Sequence, residues 1–236
     1  MQDSSNDIYL NGEYFKNNPV WDAQDAPWKV AIIHEQLQKN NIRTAEVIEI
    51  GCGAGANLVE LARTDQSIKK LTGYDISPQA IDLAAKNSTD RIQYFNKDLL
   101  AEDEISTDLL LVIDVVEHVD DYYGFLRKLR PKARHFIFHI PLDLSGRTIR
   151  KPHIMLQQRQ SVGHIHYFTK EMVEWSLRDT GYTIIDWVYT KPVVDIEPAD
   201  SFKRWVKKAL RNFSFAINKD WSVRKWGGYS IMILAK

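Results

Sequence analysis

The chain has 236 residues, with 31 Lys and Arg balanced by 31 Asp and Glu, so its formal net charge is zero. This balance gives no reason to expect a nucleic-acid partner. Apolar residues make up 44% and charged residues 26%, which is typical of a globular protein with a large core. No apolar run approaches the roughly 20 residues of a membrane helix.

Cys52 is the only cysteine, so no intramolecular disulfide can form. The polar, acidic N-terminus lacks the basic and apolar regions of a signal peptide. Together these features predict a cytoplasmic protein.

Residues 1–23, which precede the first predicted helix, are polar and aromatic. A helix is predicted from about residue 26 to 40, because Pro27 suits a first turn and Val30 and Ile33 lie on one face. Trp21 and Trp28 either cover a site at the edge of the sheet or pack on the core; both interpretations stay open.

A glycine-rich turn follows the first strand, which is predicted at residues 46–51. Gly51, Gly53 and Gly55 recur at every second position, and a helix is predicted at 57–64. Glycine lets a backbone turn tightly and approach a ligand closely. A strand, a glycine turn and a helix N-terminus together predict a nucleotide-cofactor site. The spacing G-x-G-x-G, with Glu49 two residues ahead, differs from the G-x-G-x-x-G of dinucleotide binders.

Apolar strands and amphipathic helices alternate after this turn. Further strands are predicted at 70–75, 91–95, 109–114, 135–140, 182–189 and 229–235. Further helices are predicted at 78–87, 121–129 and 170–180, and residues 141–168 are read as a long connection. This alternation predicts an α/β fold with a doubly wound, mostly parallel sheet.

The pattern Glu49-x-Gly51-x-Gly53-x-Gly55 resembles the first motif of class I S-adenosylmethionine-dependent methyltransferases. The resemblance implies a Rossmann-like sheet of seven strands, the last one antiparallel, and S-adenosylmethionine as cofactor. The cofactor-binding residues that it implies are Glu49, Gly51, Cys52, Gly53, Gly55, Asp75, Ile76, Asp98, Leu99, Asp114 and His118.

Acidic residues follow three of the predicted strands, at the edge where open α/β sheets bind ligands. By the resemblance, Asp75 accepts hydrogen bonds from the ribose, Asp98 faces the adenine amino group and Leu99 packs on the ring. Residues 114–119 resemble the D/E-x-x-E-H-V block of methyltransferases of the ubiquinone-biosynthesis type.

Methyl transfer to an oxygen requires loss of a proton, and histidine is a common base near neutral pH. His166, His139 and His164 are the candidates, in that order of preference, although each could instead be structural. His164 and His166 share one face of an extended segment. No third ligand is evident, so the sequence predicts no metal site.

The resemblance implies O-methylation of a small molecule or a glycan. Several segments are similar to predicted methyltransferases often encoded with surface-polysaccharide enzymes, and that association suggests a sugar hydroxyl as acceptor. These segments include residues 18–21, 26–29, 139–144 and 163–168. Two alternatives remain open: N- or C-methylation of a small metabolite, and an inactive methyltransferase-like binding module. A nicotinamide oxidoreductase is disfavoured by the glycine spacing.

We expect one methyltransferase domain over 1–236, made of a cover segment (1–44), a cofactor-binding core (45–189), a basic amphipathic insertion (190–228) and the last strand (229–236). Within the insertion, residues 201–213 predict an amphipathic helix with Ser201 as its N-cap. Its apolar face either packs on the domain or lies on an anionic membrane at the inner face, and a dimer contact or a lid is a third option. The oligomeric state is left open.

Overall fold

Seven strands form one sheet in the computed structural model, which describes residues 23–102 and 105–236 together with Tyr9, Gly12, Tyr14, Lys16, Asn18 and Trp21. The strands are β1 (Glu46–Ile50), β2 (Lys70–Asp75), β3 (Ile92–Asn96), β4 (Thr107–Ile113), β5 (Ala133–Pro141), β6 (Ile184–Thr190) and β7 (Ser230–Ala235). Their order across the sheet is β3-β2-β1-β4-β5-β7-β6.

Helices connect the strands and cover the sheet. Before β6 they are α1 (Ala26–Lys39), α2 (Ala56–Thr64), α3 (Pro78–Ala84), α4 (Tyr122–Leu129), α5 (Gly146–Arg150), α6 (His153–Ser161) and α7 (Lys170–Asp179). Between β6 and β7 they are α8 (Pro192–Asp195), α9 (Phe202–Ile217) and α10 (Lys219–Trp226).

The pairing of the strands explains where the sheet can bind a ligand. Strands β1 to β5 pair in parallel, whereas β7 runs antiparallel to both β5 and β6. The chain order runs outward from β1 in one direction to β3 and then restarts beside β1 with β4. Such a reversal leaves a crevice at the carboxyl ends of the central strands.

Two apolar layers form the core, one on each face of the sheet. On one face, Ile33 of α1 and Leu58 and Leu61 of α2 are completely buried. On the other face, Leu129 of α4 and Leu177 of α7 are equally buried. Helices on both faces explain why the central strands read as continuous apolar runs rather than as alternating ones.

The predicted fold class and all seven strands are confirmed, with boundaries that differ by one or two residues. The connection at 141–168, for which no helix was predicted, contains α5 and α6. Helix α5 is only five residues long and is set by a capping box between Ser145 and Thr148. Helix α6 buries none of its residues, so it shows no apolar periodicity.

The insertion at 190–228 contains α8, α9 and α10. The predicted N-cap is confirmed, since the Ser201 hydroxyl accepts a hydrogen bond from the Arg204 backbone N–H at 3.3 Å. The interpretation that the apolar face of α9 packs on the domain is wrong. Phe202 is 80% exposed and Phe213 is 68% exposed. Instead, Phe215 stacks on Tyr229 with ring centroids 5.5 Å apart.

Candidate functional site

A cavity of about 350 Å³ lies at the carboxyl ends of β1, β2 and β4, and we call it the strand-end cavity. It occupies the crevice that the strand order predicts. Its lining includes Tyr9, Tyr14, Trp21, Lys29, Glu49, Gly51, Cys52, Gly53, Asn57, Asp75, Ile76, Asp98, Leu99, Asp114, His118, Val119, Asp120, Asp121 and Phe125.

The glycine turn forms one wall of this cavity. Gly51, Gly53 and Gly55 have φ angles of +66°, +52° and +79°, which side chains disfavour. A Cβ atom at Gly51 would lie 2.6 Å from Cγ2 of Val115, and one at Gly55 would lie 2.5 Å from the Tyr94 ring. Both backbone strain and close neighbours therefore require glycine at these two positions.

Glu49 lies beneath the turn, near the end of β1, and is only 1% exposed. One carboxylate oxygen, Oε1, accepts a hydrogen bond from Asn57 Nδ2 at 2.7 Å. The other, Oε2, has no hydrogen-bond partner among the residues that the structure describes. Burial raises the pKa of Glu49 to about 8, although the Asn57 hydrogen bond and the Lys29 charge act in the opposite direction.

Asp75 ends β2 and links the strand to the glycine turn. Its Oδ2 accepts from the Gly53 N–H at 2.9 Å, and its Oδ1 accepts from the Ser77 N–H at 2.8 Å. Burial raises the pKa of Asp75, and the backbone hydrogen bonds partly offset that shift. The carboxylate is thus held in a fixed orientation at the cavity wall.

The remaining predicted adenine-side residues line the same cavity. Asp98 is exposed and caps a short 3₁₀ turn by accepting from the Leu100 N–H at 2.8 Å. Leu99 is completely buried beside it, and Ile76 follows Asp75. All eleven residues predicted for cofactor binding, except Gly55, line this cavity directly.

Asp114 follows β4 with a φ angle of +53°, which is rare for a residue with a side chain. Its Oδ1 lies 2.7 Å from His139 Nδ1, and its Oδ2 lies 2.9 Å from Lys29 Nζ. Burial alone would raise the pKa of Asp114, but the His139 and Lys29 charges outweigh it and hold this pKa well below its usual range. The network ends at Thr190, whose Oγ1 is 2.9 Å from His139 Nε2.

Among the described residues that line the cavity, the only histidine is His118. The predicted catalytic residues His139, His164 and His166 lie outside this lining. His139 reaches it only through Asp114. The Nδ1 atom of His164 lies 2.8 Å from Asp143 Oδ2. His166 Nε2 donates to the Val119 carbonyl at 2.9 Å. Their catalytic role stays a prediction.

Aromatic side chains from the N-terminal segment cover the cavity. Tyr14 lies between Tyr9 and Trp21, with ring centroids 4.8 Å and 4.7 Å away. The sequence left open whether Trp21 and Trp28 cover the site or pack on the core; Trp21, but not Trp28, is among the described lining residues of the cavity. Sequence reasoning missed Tyr9, Tyr14, Lys29 and Asn57. Asn57 had a usable signal, because it lies in the first turn of α2, two residues after Gly55.

The profile of a family described as "Methyltransferase domain" matches residues 24–186, which is more than half of the chain. The chain belongs to the methyltransferase-domain family. The predicted class I methyltransferase fold is thereby confirmed at the level of family and architecture.

Two curated relatives are ubiquinone biosynthesis O-methyltransferases. The protein from Xanthomonas euvesicatoria is 25% identical over 191 residues, covering 72% of this chain and 77% of the relative. The mitochondrial protein from Schizosaccharomyces pombe is 26% identical over 123 residues, covering 48% of this chain and 44% of the relative. The chain thus spans less than half of the length of this second relative.

Solved structures share the whole fold at low identity. A putative methyltransferase from Haloferax volcanii, in complex with the Trm112 activator, has a TM-score of 0.67 at 16% identity, covering 98% of this chain and 96% of that one. The plantazolicin methyltransferase BpumL, in complex with a monoazolic desmethylPZN analog and SAH, has a TM-score of 0.61 at 14% identity, covering 98% and 92%.

The raised pKa of Glu49 predicts that this residue makes stability fall as pH rises. Above a pH of about 4.3 the unfolded chain releases this proton, whereas the folded protein retains it up to about 8. The contribution of Glu49 to the free energy of unfolding therefore falls as the pH rises between these two values, and it stays constant above the folded pKa. We expect the free energy of unfolding to fall much less with pH in the Glu49→Gln variant than in the wild-type protein. Between pH 5 and 8.5 the two falls should differ on the order of a few kcal/mol.

Urea unfolding at the two pH values measures this effect. Glu46→Gln is the matched control, because Glu46 is exposed at the other end of β1. Equal pH slopes for the wild-type protein and the Glu49→Gln variant would contradict the assignment.

Proposed function

We propose that this protein transfers a methyl group from S-adenosylmethionine to a hydroxyl group of a small molecule. The observation that carries the proposal is the glycine turn, which presents its backbone to the strand-end cavity between the carboxyl groups of Glu49 and Asp75. Membership of the methyltransferase-domain family and the fold of an SAH-bound neighbour support it.

The donor fits the chemistry of this wall. Its amino-acid part carries an ammonium group, and the buried Oε2 of Glu49 has no hydrogen-bond partner among the described residues. Its ribose carries two hydroxyl donors, and each oxygen of Asp75 retains a lone pair beyond its backbone hydrogen bond. We assign Glu49 to the ammonium group and Asp75 to the ribose.

The adenine ring is assigned to Ile76, Asp98 and Leu99, which line the cavity beyond Asp75. Leu99 supplies an apolar surface at the base of this region, and Asp98 supplies a carboxylate acceptor for an amino group. Bound S-adenosylmethionine supplies an electrophilic methyl carbon on a sulfonium with a neutral thioether as leaving group. Positioning therefore provides much of the catalysis.

The acceptor is assigned to the part of the cavity between His118, Phe125 and the aromatic cover. Tyr9, Tyr14 and Trp21 close this side with ring faces and edges. Such a pocket favours a ring-containing acceptor, either an aromatic ring or a sugar. The O-methyltransferase names of the two curated relatives support oxygen as the methylated atom.

Among the three predicted base candidates, the proposal retains His139 as a positioning residue. It fixes Asp114, which does line the cavity, and is itself held by Thr190. We assign His166 no role in the reaction, because its Nε2 already contacts two backbone carbonyls. Its role as a base stays a prediction.

The direct test is turnover of S-adenosylmethionine with a panel of phenols, sugars and amines, detected as S-adenosylhomocysteine and as a methylated product by mass spectrometry. We expect methylation of a hydroxyl compound, and loss of turnover in Asp75→Ala but not in Asp82→Ala, an exposed aspartate of α3. Methylation of amines alone would favour the alternative reaction. Cofactor binding without any turnover would favour an inactive binding module.

A second variant tests the glycine turn itself. Gly55→Ala places a methyl group against the Tyr94 ring on a backbone with positive φ. Gly181→Ala is the matched control, since Gly181 also has a positive φ of +93° but no atom within 4 Å of its added methyl. We expect Gly55→Ala to weaken S-adenosylhomocysteine binding at least tenfold by calorimetry, which corresponds to about 1.4 kcal/mol. Equal affinities in the two variants would contradict this account.

The exposed face of α9 supports a second proposal, that the protein contacts an anionic membrane surface. We call this face the α9 ridge; its members are Phe202, Trp205, Leu210, Phe213 and Ile217, all at least half exposed. Lys203 and Lys207 flank the ridge and are exposed. Aromatic side chains beside basic ones are the composition of interfacial helices. No described helix is long and apolar enough to cross a bilayer.

Co-sedimentation with phosphatidylglycerol vesicles tests the α9 ridge. We expect binding that falls more than about tenfold in the double variant Lys203→Glu and Lys207→Glu, since each lysine near an anionic surface contributes about 1 kcal/mol. Lys86→Glu with Lys128→Glu reverses two exposed charges elsewhere and should retain binding. Equal binding by both double variants, or a dimer formed through the ridge without vesicle binding, would overturn the proposal.

A further inference from the structure

Glu117, His118 and His164 bring their ligand atoms within 4.8 Å of one another, beside the strand-end cavity. The first two follow β4, and the third lies in the segment before α7. We propose that this cluster binds one divalent first-row transition ion, such as zinc or manganese. We call it the Glu117 cluster.

The strongest evidence for a bound cation comes from Glu117. It is completely buried, and neither carboxylate oxygen has a hydrogen-bond partner among the described residues. Its backbone carbonyl is fully used, since it accepts from the N–H groups of Ile165 and His166 at 2.9 Å and 3.1 Å. A buried carboxyl group without partners is costly, and a bound cation would satisfy both of its oxygens.

Each histidine is already oriented as a metal ligand. The Nδ1 of His118 donates to the Gly163 carbonyl at 3.1 Å, and the Nδ1 of His164 lies 2.8 Å from Asp143 Oδ2. These contacts fix the tautomer and leave both Nε2 lone pairs available for an ion. Asp143 is in turn held by Gln158 at 2.7 Å. The carboxylate–histidine pair is a common supporting arrangement around metal sites.

The donor set indicates the type of ion. Two imidazoles and one carboxylate suit zinc, manganese or iron, whereas magnesium prefers oxygen donors and retains its water. Asp114 does not complete the set, because His139 and Lys29 occupy its two oxygens. Three protein ligands leave at least one coordination position for water or a substrate atom, as in catalytic zinc sites.

The location of the Glu117 cluster suggests its use, and this step rests on the proposed function. His118 lines the cavity on its acceptor side. A hydroxyl group bound at the open coordination position becomes more acidic and loses its proton to solvent. The oxygen then forms a bond to the methyl carbon while the bond from that carbon to sulfur breaks, which leaves a neutral thioether and an O-methyl product. The acceptor class is therefore a hydroxyl compound that can bind a metal ion.

The test uses the metal-free full chain with Co²⁺ as the probe, followed by calorimetry and by visible absorption, which reports coordination without any turnover. We expect one ion per chain and loss of both signals in Glu117→Gln and in His164→Ala. Asp143→Asn should weaken binding about 10–100-fold, as is usual for supporting carboxylates. His153→Ala removes an exposed histidine elsewhere and should bind the ion normally.

Failure of Co²⁺ binding in the wild-type protein, or undiminished binding in both Glu117→Gln and His164→Ala, would overturn the inference. Circular dichroism shows whether Glu117→Gln folds, and His164→Ala retains a test if it does not. The proposed metal site and the proposed methyl transfer are tested independently of each other. Turnover without metal binding would overturn only the assignment of the Glu117 cluster as a metal site. Metal binding without methyl transfer would overturn only the proposed function.

Discussion

The left-handed turn after β1 is the constraint on which the rest of the site depends. Because Gly51 and Gly55 have positive φ angles and close neighbours, β1 can end directly beneath the start of α2. That proximity lets Asp75 bond to the Gly53 N–H from the neighbouring strand. The turn, two strand ends and one helix N-terminus therefore form a single rigid wall. A side chain at either glycine would separate these parts.

Much of the fold was predictable because its signals are local. The strand at 109–113 is apolar on both faces, and the glycine spacing marks the turn after β1. The helix at 202–217 was also predictable, but its orientation was not. Periodicity shows that Phe202 and Phe213 share a face, and it cannot show that Phe215 and Arg211 supply the packing side instead.

The acceptor side of the site was harder to predict because its residues meet only through tertiary structure. The two-residue spacing predicted that His164 and His166 lie on one face. In the structure His166 instead donates to the Val119 carbonyl, whereas His164 lies close to Glu117. Lys29 likewise reaches Asp114 from a helix that precedes the whole sheet. The strained backbone of Asp114 and the buried carboxyl group of Glu117 have no signature in a single sequence. Both become visible once hydrogen-bond partners are known.

The central claim is that the glycine turn, with Glu49 and Asp75, binds S-adenosylmethionine rather than a dinucleotide. Calorimetric titration of the wild-type protein with S-adenosylhomocysteine and, separately, with NAD tests it most directly. The account predicts saturable binding of one S-adenosylhomocysteine per chain, abolished in Asp75→Ala, and no binding of NAD. Binding of NAD without binding of S-adenosylhomocysteine would contradict it.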